Sequence, residues 1–268
     1  MTRTTRLSAT VVGALLMASP EAAAYRPFDG TDAAVAGVGE FELELGPAHF
    51  YGRGRNNYLI APATVLNLGL VKDLELVVDF KQFVALQQVP TESQVRLLDT
   101  DILLKKVLRR GSLQDADGAS VAIEGGFLTP EIQGDRSFGA QADVITSYRW
   151  CGQRVHFNEQ AAFSRSQNLD LFSSIILEGP DDLLVRPVAE VYVEHEFGKG
   201  SRYSGLVGAI WTASESFTLD LGLRVARIDA QRVAEVRLGF TWALPIVSES
   251  QRTVENAWLS RRHGHRSL

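Results

Sequence analysis

The sequence predicts an all-β chain, an antiparallel up-and-down transmembrane β-barrel of about 12 strands. Two observations lead there. Apolar and polar residues alternate strictly along run after run, and no stretch approaches the roughly 18 uninterrupted apolar residues that a membrane-spanning helix needs. The alternation is cleanest late in the chain. Phe217, Leu219, Leu221, Leu223 and Val225 share one parity, while Thr218, Asp220, Gly222, Arg224 and Ala226 share the other. Val236, Leu238, Phe240 and Trp242 repeat the pattern against Glu235, Arg237, Gly239 and Thr241. Side chains alternate across a strand, so each such strand has one apolar face and one wet face. A soluble sandwich wets the outside; a membrane barrel wets its lumen. Run length favours the barrel, because globular strands average about 5–6 residues whereas tilted membrane strands need about 9–11.

Taken in order, the first strand sets Phe41, Leu43 and Leu45 against Glu40, Glu42 and Glu44. The second covers roughly Tyr58 to Leu70, with Thr64, Leu66, Leu68 and Leu70 on one face. Val71-Lys72-Asp73 then reads as a tight hairpin turn into a third strand, where Leu74, Leu76, Val78 and Phe80 oppose Glu75, Asp79 and Lys81. Further strands are expected near Val95–Leu108, Ala119–Leu128, Phe138–Trp150, Arg154–Ser164 and Leu171–Leu177. The last four fall near Val185–Phe197, Tyr203–Trp211, Phe217–Ile228 and Arg232–Leu244. Glu159 shares its parity with Val155, Phe157 and Phe163, so either a bulge shifts the register there or the apolar face is interrupted. Phe50, Tyr51, Tyr58, Phe80, Phe83, Tyr148, Trp150, Tyr203, Trp211 and Trp242 lie near strand ends, as interfacial girdles would require. An even strand count puts both chain ends on the periplasmic side, and Arg109–Gly118 is long for a turn on that side.

The ends of the chain indicate the compartment. Arg3 and Arg6, the apolar run Leu7–Met17, Pro20 and the small residues Ala22-Ala23-Ala24 read as a secretory signal peptide over residues 1–24. Residues 25–38 form a turn-rich periplasmic lead-in, residues 39–245 the barrel, and residues 246–268 a basic periplasmic tail expected to be disordered. A net charge of −5 gives no reason to expect nucleic acid as a partner. The single cysteine, Cys151, rules out a disulfide scaffold within the chain and sits in the expected turn Trp150-Cys151-Gly152-Gln153.

The residues give little support to catalysis. His156 has no serine of matching parity nearby, and His195 lies between Glu194 and Glu196. His263 and His265 stand among arginines of the tail, Asp115-Ala116-Asp117-Gly118 lacks the later ligands of a calcium loop, and Gly52-Arg53-Gly54 opens no helix. No enzyme activity, cofactor or metal site is expected. The wet faces are instead rich in charge. The expected lumen lining is Glu40, Glu42, Glu44, Glu75, Asp79, Asp99, Asp101, Lys105, Glu124, Asp143, Arg149, Glu190, Glu194, Asp220, Arg224, Glu235 and Arg237. Such an acid-rich passage disfavours anions and favours cations or neutral molecules.

Several segments also resemble a family of outer-membrane barrels labelled as transporters of the meta-pathway of phenol degradation. They are Arg26-Pro27-Phe28-Asp29-Gly30-Thr31-Asp32-Ala33, Gly39-Glu40-Phe41-Glu42-Leu43-Glu44-Leu45-Gly46 and Leu68-Gly69-Leu70-Val71-Lys72-Asp73-Leu74-Glu75-Leu76. Arg186-Pro187-Val188-Ala189-Glu190-Val191, Phe217-Thr218-Leu219-Asp220-Leu221-Gly222-Leu223-Arg224 and Leu238-Gly239-Phe240-Thr241-Trp242 complete the likeness, which runs from Arg26 to Trp242. The resemblance implies an outer-membrane barrel of about a dozen strands that passes small, aromatic or hydrophobic compounds. The expected function is passive passage, or a binding vestibule, for small solutes, through a monomeric barrel. Its expected surroundings are outer-membrane lipid and the outer-membrane assembly machinery of a Gram-negative envelope. The alternative is a soluble periplasmic β-sheet protein that binds a small ligand.

Overall fold

A computed structural model of the protein describes residues 26–88, 93–228 and 231–246. The expected signal peptide lies outside the described residues, as does the expected tail apart from Ile246. Twelve antiparallel strands follow one another around a closed barrel. They are β1 (Glu40–Arg53), β2 (Asn56–Val71), β3 (Leu74–Ala85), β4 (Val95–Arg109), β5 (Ser120–Leu128) and β6 (Gly139–Trp150), then β7 (Gln153–Phe163), β8 (Leu169–Glu178), β9 (Val185–Glu196), β10 (Gly200–Ser214), β11 (Phe217–Ile228) and β12 (Gln231–Pro245). Closure pairs β1 with β12, from Glu40 opposite Pro245 to Arg53 opposite Val233. Every strand therefore has two neighbours and no edge is left unpaired.

The two faces of the sheet are sorted as in a membrane protein. Ile102, Leu104, Phe127, Val144, Leu177, Val191, Val207, Leu223 and Val225 are all exposed on the outside of the barrel. The side chains of Glu44, Glu75, Lys105, Asn158, Glu190 and Asp220 are buried within it. A soluble sandwich has its apolar rows folded against each other. Here they point outward all the way round, which sets the soluble alternative aside.

Short turns form where the chemistry allows them. Between β6 and β7 the two turn residues Cys151 and Gly152 have φ of 50° and 79°, the left-handed pair that matches the twist of a hairpin. Asp73 takes φ 64° between β2 and β3. The long 109–118 connection folds into a 3-10 turn, Ser112–Gln114, from which Gln114 Nε2 donates to the Ala33 carbonyl at 2.8 Å. Its length serves an inward contact.

Two features depart from simple alternation. On β1 Gly46 and Pro47 oppose the single Gly239 of β12, and on β2 Ala61 and Pro62 oppose the single Gln82 of β3, so two bulges lie side by side where Gly46 pairs with Ala63 and His49 with Ile60. Proline cannot donate to a ladder, and a bulge is where a strand tolerates it. Beyond the paired bulges the parity of both strands flips together. His49, Tyr51, Tyr58 and Ile60 therefore point inward, so Tyr51 and Tyr58 do not join an outer girdle; nor does Phe83, which keeps the inward parity of Glu75 and Lys81. Thr64, expected to share the face of Leu66, Leu68 and Leu70, is buried beside the bulge. At Glu159 the ladder from Arg154 to Phe163 is continuous on both sides. No bulge intervenes; Glu159 interrupts the outer face, accepting a 2.7 Å hydrogen bond from Ser173 Oγ on β8.

Candidate functional site in the barrel interior

Residues 26–39 run inside the ring of strands, where the sequence predicts a periplasmic lead-in. The segment packs Phe28 against Val188 and Ile210 and Ala33 against Ala122 and Ile145, and its backbone is satisfied by the polar wall. Glu190 on β9 accepts from the backbone N–H groups of Asp29 and Gly30 at 2.8 and 2.7 Å. Asn158 on β7 accepts from Thr31 N–H at 3.0 Å and donates to the Thr31 carbonyl at 2.9 Å. Ser147 on β6 accepts from Ala33 N–H at 2.9 Å, and Glu75 on β3 from Ala36 N–H at 2.7 Å. Four inward side chains from four strands make these six hydrogen bonds, so the polar wall solvates a chain crossing between them. Two glycines make room for it. A Cβ on Gly69 would collide with the Gly37 carbonyl, and one on Gly239 with the Arg26 guanidinium.

Side chains pin the segment as well. Arg237 on β12 donates to the Pro27 carbonyl at 2.6 Å and to both carboxylate oxygens of Asp29 at 2.8 and 3.1 Å. Glu235, between Arg237 and Arg224, holds their guanidinium groups at 3.2 and 2.7 Å. Arg224 also donates to the Tyr192 hydroxyl at 2.8 Å. Burial alone would push the Asp29 carboxyl up. The charges of Arg237 and Arg224 outweigh it and hold the group below the ordinary value of 3.8. Arg26 lies 3.5 Å from Asp220 and bonds His49. Lys105 reaches Thr31 Oγ1 at 3.1 Å, Glu75 at 3.7 Å and Asp32 at 3.9 Å.

A histidine relay underlies the contact at Ala33. Ser147 and His156 are direct cross-strand partners on β6 and β7, so the serine that parity along one strand cannot supply comes from the next. His156 Nδ1 meets Ser147 Oγ at 2.8 Å and its Nε2 meets Glu178 at 3.0 Å, while Arg186 lies 2.8 Å from Glu178. Ser147 is 0% exposed and its oxygen already accepts from Ala33. No acyl group can approach that oxygen while the segment covers it, so the relay orients a serine that holds backbone.

Above and below the segment the interior is hollow. One cavity of about 430 Å³ is lined by Asp79, Asp101, Glu194, Tyr51, Phe83 and Tyr192, among others. Another of about 460 Å³ lies at the end where β1 starts and β12 stops, between Glu40, Glu42, Val35, Val38, Arg110 and Arg149. Of the expected lining residues, Glu40, Glu42, Glu44, Glu75, Lys105, Asp143, Glu190, Asp220, Arg224, Glu235 and Arg237 are buried inside the barrel. Asp79, Asp99, Asp101, Glu124, Arg149 and Glu194 are half-buried on the same inner face. Lys81 lies 3.2 Å from Asp99, Arg165 pairs with Asp101, Arg202 with Glu194, and Arg149 lies 3.2 Å from Asp181. Residues that alternation did not single out are Asp29, Asp32, His49, Asn67, Ser147, Asn158, Glu178 and Arg186. The first two lie in no strand, and the others are polar residues whose partners become visible only from cross-strand register.

No family model and no curated relative matches the sequence. Solved structures match its shape. The barrel superposes on the crystal structure of an outer membrane channel from Pseudomonas putida F1 with a TM-score of 0.59, covering 81% of this chain and 100% of that one at 9% identity. This is the fold of an outer-membrane channel. Two looser likenesses are the KdgM porin in complex with disordered oligogalacturonate (TM-score 0.47, 11% identity, 75% of this chain and 98% of that one) and the CymD monoaromatic hydrocarbon channel (TM-score 0.44, 8% identity, 78% and 89%). At these identities the likeness is one of fold.

Proposed function

We propose that the chain is a monomeric channel of the bacterial outer membrane, giving small solutes a binding vestibule and a passage narrowed by residues 26–39. The observation that carries the reading is the sorting of the barrel, apolar rows outside and a charged, hollow interior. On this reading residues 1–24 direct export, and the assembly machinery inserts the barrel into outer-membrane lipid. The charged residues of the inner face, with Asp79, Asp101, Glu124, Asp143 and Glu194 around the upper cavity, line the solute path. Unlike Glu235, which two arginines hold, this group is only partly matched by Lys81, Arg165 and Arg202, so the field favours cations or neutral molecules over anions. Tyr51, Phe83, Phe172 and Tyr192 offer ring faces in the same space, and the Phe172 and Tyr192 rings pack at 5.1 Å. That lining agrees with passage of small aromatic solutes, the role implied by the resemblance to the meta-pathway transporter family.

Planar-bilayer recording in a salt gradient tests the reading. The expected result is small, discrete conductance steps with a reversal potential on the cation side, moved toward zero by Asp79→Asn with Asp101→Asn. A protein that inserts without conducting, or that prefers chloride, overturns it.

A further inference from the structure

The cavity at the terminal end of the barrel holds a carboxylate that the other described residues leave unmatched. Glu42 projects from β1 into this space and is 4% exposed. Its Oε1 has no hydrogen-bond partner, and among the described residues no basic side chain forms an ion pair with it. Its neighbours along the same face are matched: Glu44 accepts from Asn67 Nδ2 at 3.0 Å and Glu40 accepts from Gly37 N–H at 3.0 Å. The charged groups acting most strongly on Glu42 are Glu44, Glu75, Glu40 and Asp32, all of them carboxylates. A buried carboxylate with no cationic partner keeps its proton, and gives it up when something of opposite sign meets it.

The surroundings indicate what that partner is. Lys105, the buried cation of this region, is engaged with Glu75, Asp32 and Thr31. The arginines at the mouth are engaged too: Arg110 lies 3.5 Å from Asp73, and Arg154 lies 2.8 Å from Asp181. The rest of the wall mixes the aliphatic Ala34, Val35, Val38 and Leu113 with Gln114, Asp115, Lys72 and Arg149, the last held 3.2 Å from Asp181. No group of three His, Cys, Asp or Glu side chains among the described residues has the geometry to hold a metal ion. At about 460 Å³ the space takes a small organic molecule, and the loops at its mouth face water, with the Asp115 side chain 92% exposed.

We infer that this chamber is a binding site for a small organic ammonium, whose charged nitrogen sits on Glu42 and whose apolar body lies against Val35 and Val38. The inference names a ligand class within the proposed function and does not require that the ligand cross the barrel.

Isothermal titration of the full-length, detergent-solubilised protein at neutral pH with benzylammonium, benzyl alcohol and calcium chloride tests it. Benzylammonium binds about tenfold or more tightly than its neutral isostere, as a hydrogen bond to a charged group requires, and calcium gives no saturable heat. Glu42→Gln removes the preference for the ammonium; Glu159→Gln, on the outside of the barrel, leaves it intact. Heat-modifiable gel migration establishes that each variant is folded. Equal affinities of the wild-type protein for benzylammonium and benzyl alcohol overturn the site whatever the variants do, as does calcium binding that Glu42→Gln abolishes. Conductance measured in parallel separates the two ideas: ammonium binding without conductance fails only the channel, and conductance without ammonium binding fails only this site.

Discussion

Arg237 grips Asp29 through both carboxylate oxygens, at 2.8 and 3.1 Å, across 208 positions of sequence. The same guanidinium holds the Pro27 carbonyl, so one side chain on β12 fixes both ends of the turn by which residues 26–39 begin their path. Arg237→Ala leaves Asp29 facing Glu235 with one cation fewer between them. Breaking a buried pair from one side costs about 3–5 kcal/mol. The expected outcome is release of the segment: larger single-channel conductance and a lower temperature for the shift in gel migration. Unchanged conductance with the barrel intact would mean that the segment does not narrow the passage.

The same pair predicts an acid response. Asp29 is held below its ordinary 3.8 because Arg237 and Arg224 outweigh its burial. A depressed carboxylate stabilises the docked segment fully above its unfolded value, near 3.9, and loses that contribution as pH falls through its lower docked value. Protease digestion of residues 26–39 should therefore stay slow from neutral pH down to about 4 and accelerate below it. Asp29→Asn should digest faster at neutral pH and show less acceleration in acid. An identical pH profile in the variant would assign the response to another group.

Fold class was legible because period-two alternation over long runs is a local property that strand sterics enforce. Glu235 and Arg237 could be assigned to the inner face from β12 alone. What stayed hidden depends on two distant stretches of the chain meeting. Pro47 and Pro62 each hint at a bulge, but only the pairing of Gly46 with Ala63 and His49 with Ile60 shows that the bulges lie side by side and turn Tyr51 and Tyr58 inward together. Likewise His156 finds its serine across the ladder, in Ser147, and not along its own strand. Residues 26–39 have no period because no sheet shapes them; the polar wall does, and nothing local in Asp29 or Thr31 announces that.

Glu159 is the exception on the outer face, with Ser173 as its partner at 2.7 Å. Basic residues on the lipid face of a barrel cost about 2–4 kcal/mol at the midplane, and acidic ones less. Glu159→Leu extends the row of Phe157 and Phe163 and should raise the urea midpoint for unfolding in phospholipid vesicles. Ser173→Ala alone should lower the unfolding free energy by about 1 kcal/mol, the net worth of one hydrogen bond. Destabilisation by Glu159→Leu would show that the carboxylate meets a polar partner outside the barrel.

Gly69→Val tests the seating of the segment without altering any charge. Gly69 accepts a 2.9 Å hydrogen bond from Gly39 N–H, and its missing side chain is what lets the Gly37 carbonyl lie against β2. A Cβ there cannot be relieved by rotating a flexible neighbour, because the atom it meets is backbone. The chain must move away, taking with it the bond from Ala36 N–H to Glu75. Valine suits a strand, so β2 itself should persist and the barrel should keep its heat-modifiable migration. The expected phenotype is that of Arg237→Ala, higher conductance and faster proteolysis of residues 26–39, from the opposite end of the segment. If Gly69→Val instead leaves both unchanged while Arg237→Ala alters them, the segment is held at its Asp29 end only and the contacts near Gly37 are dispensable.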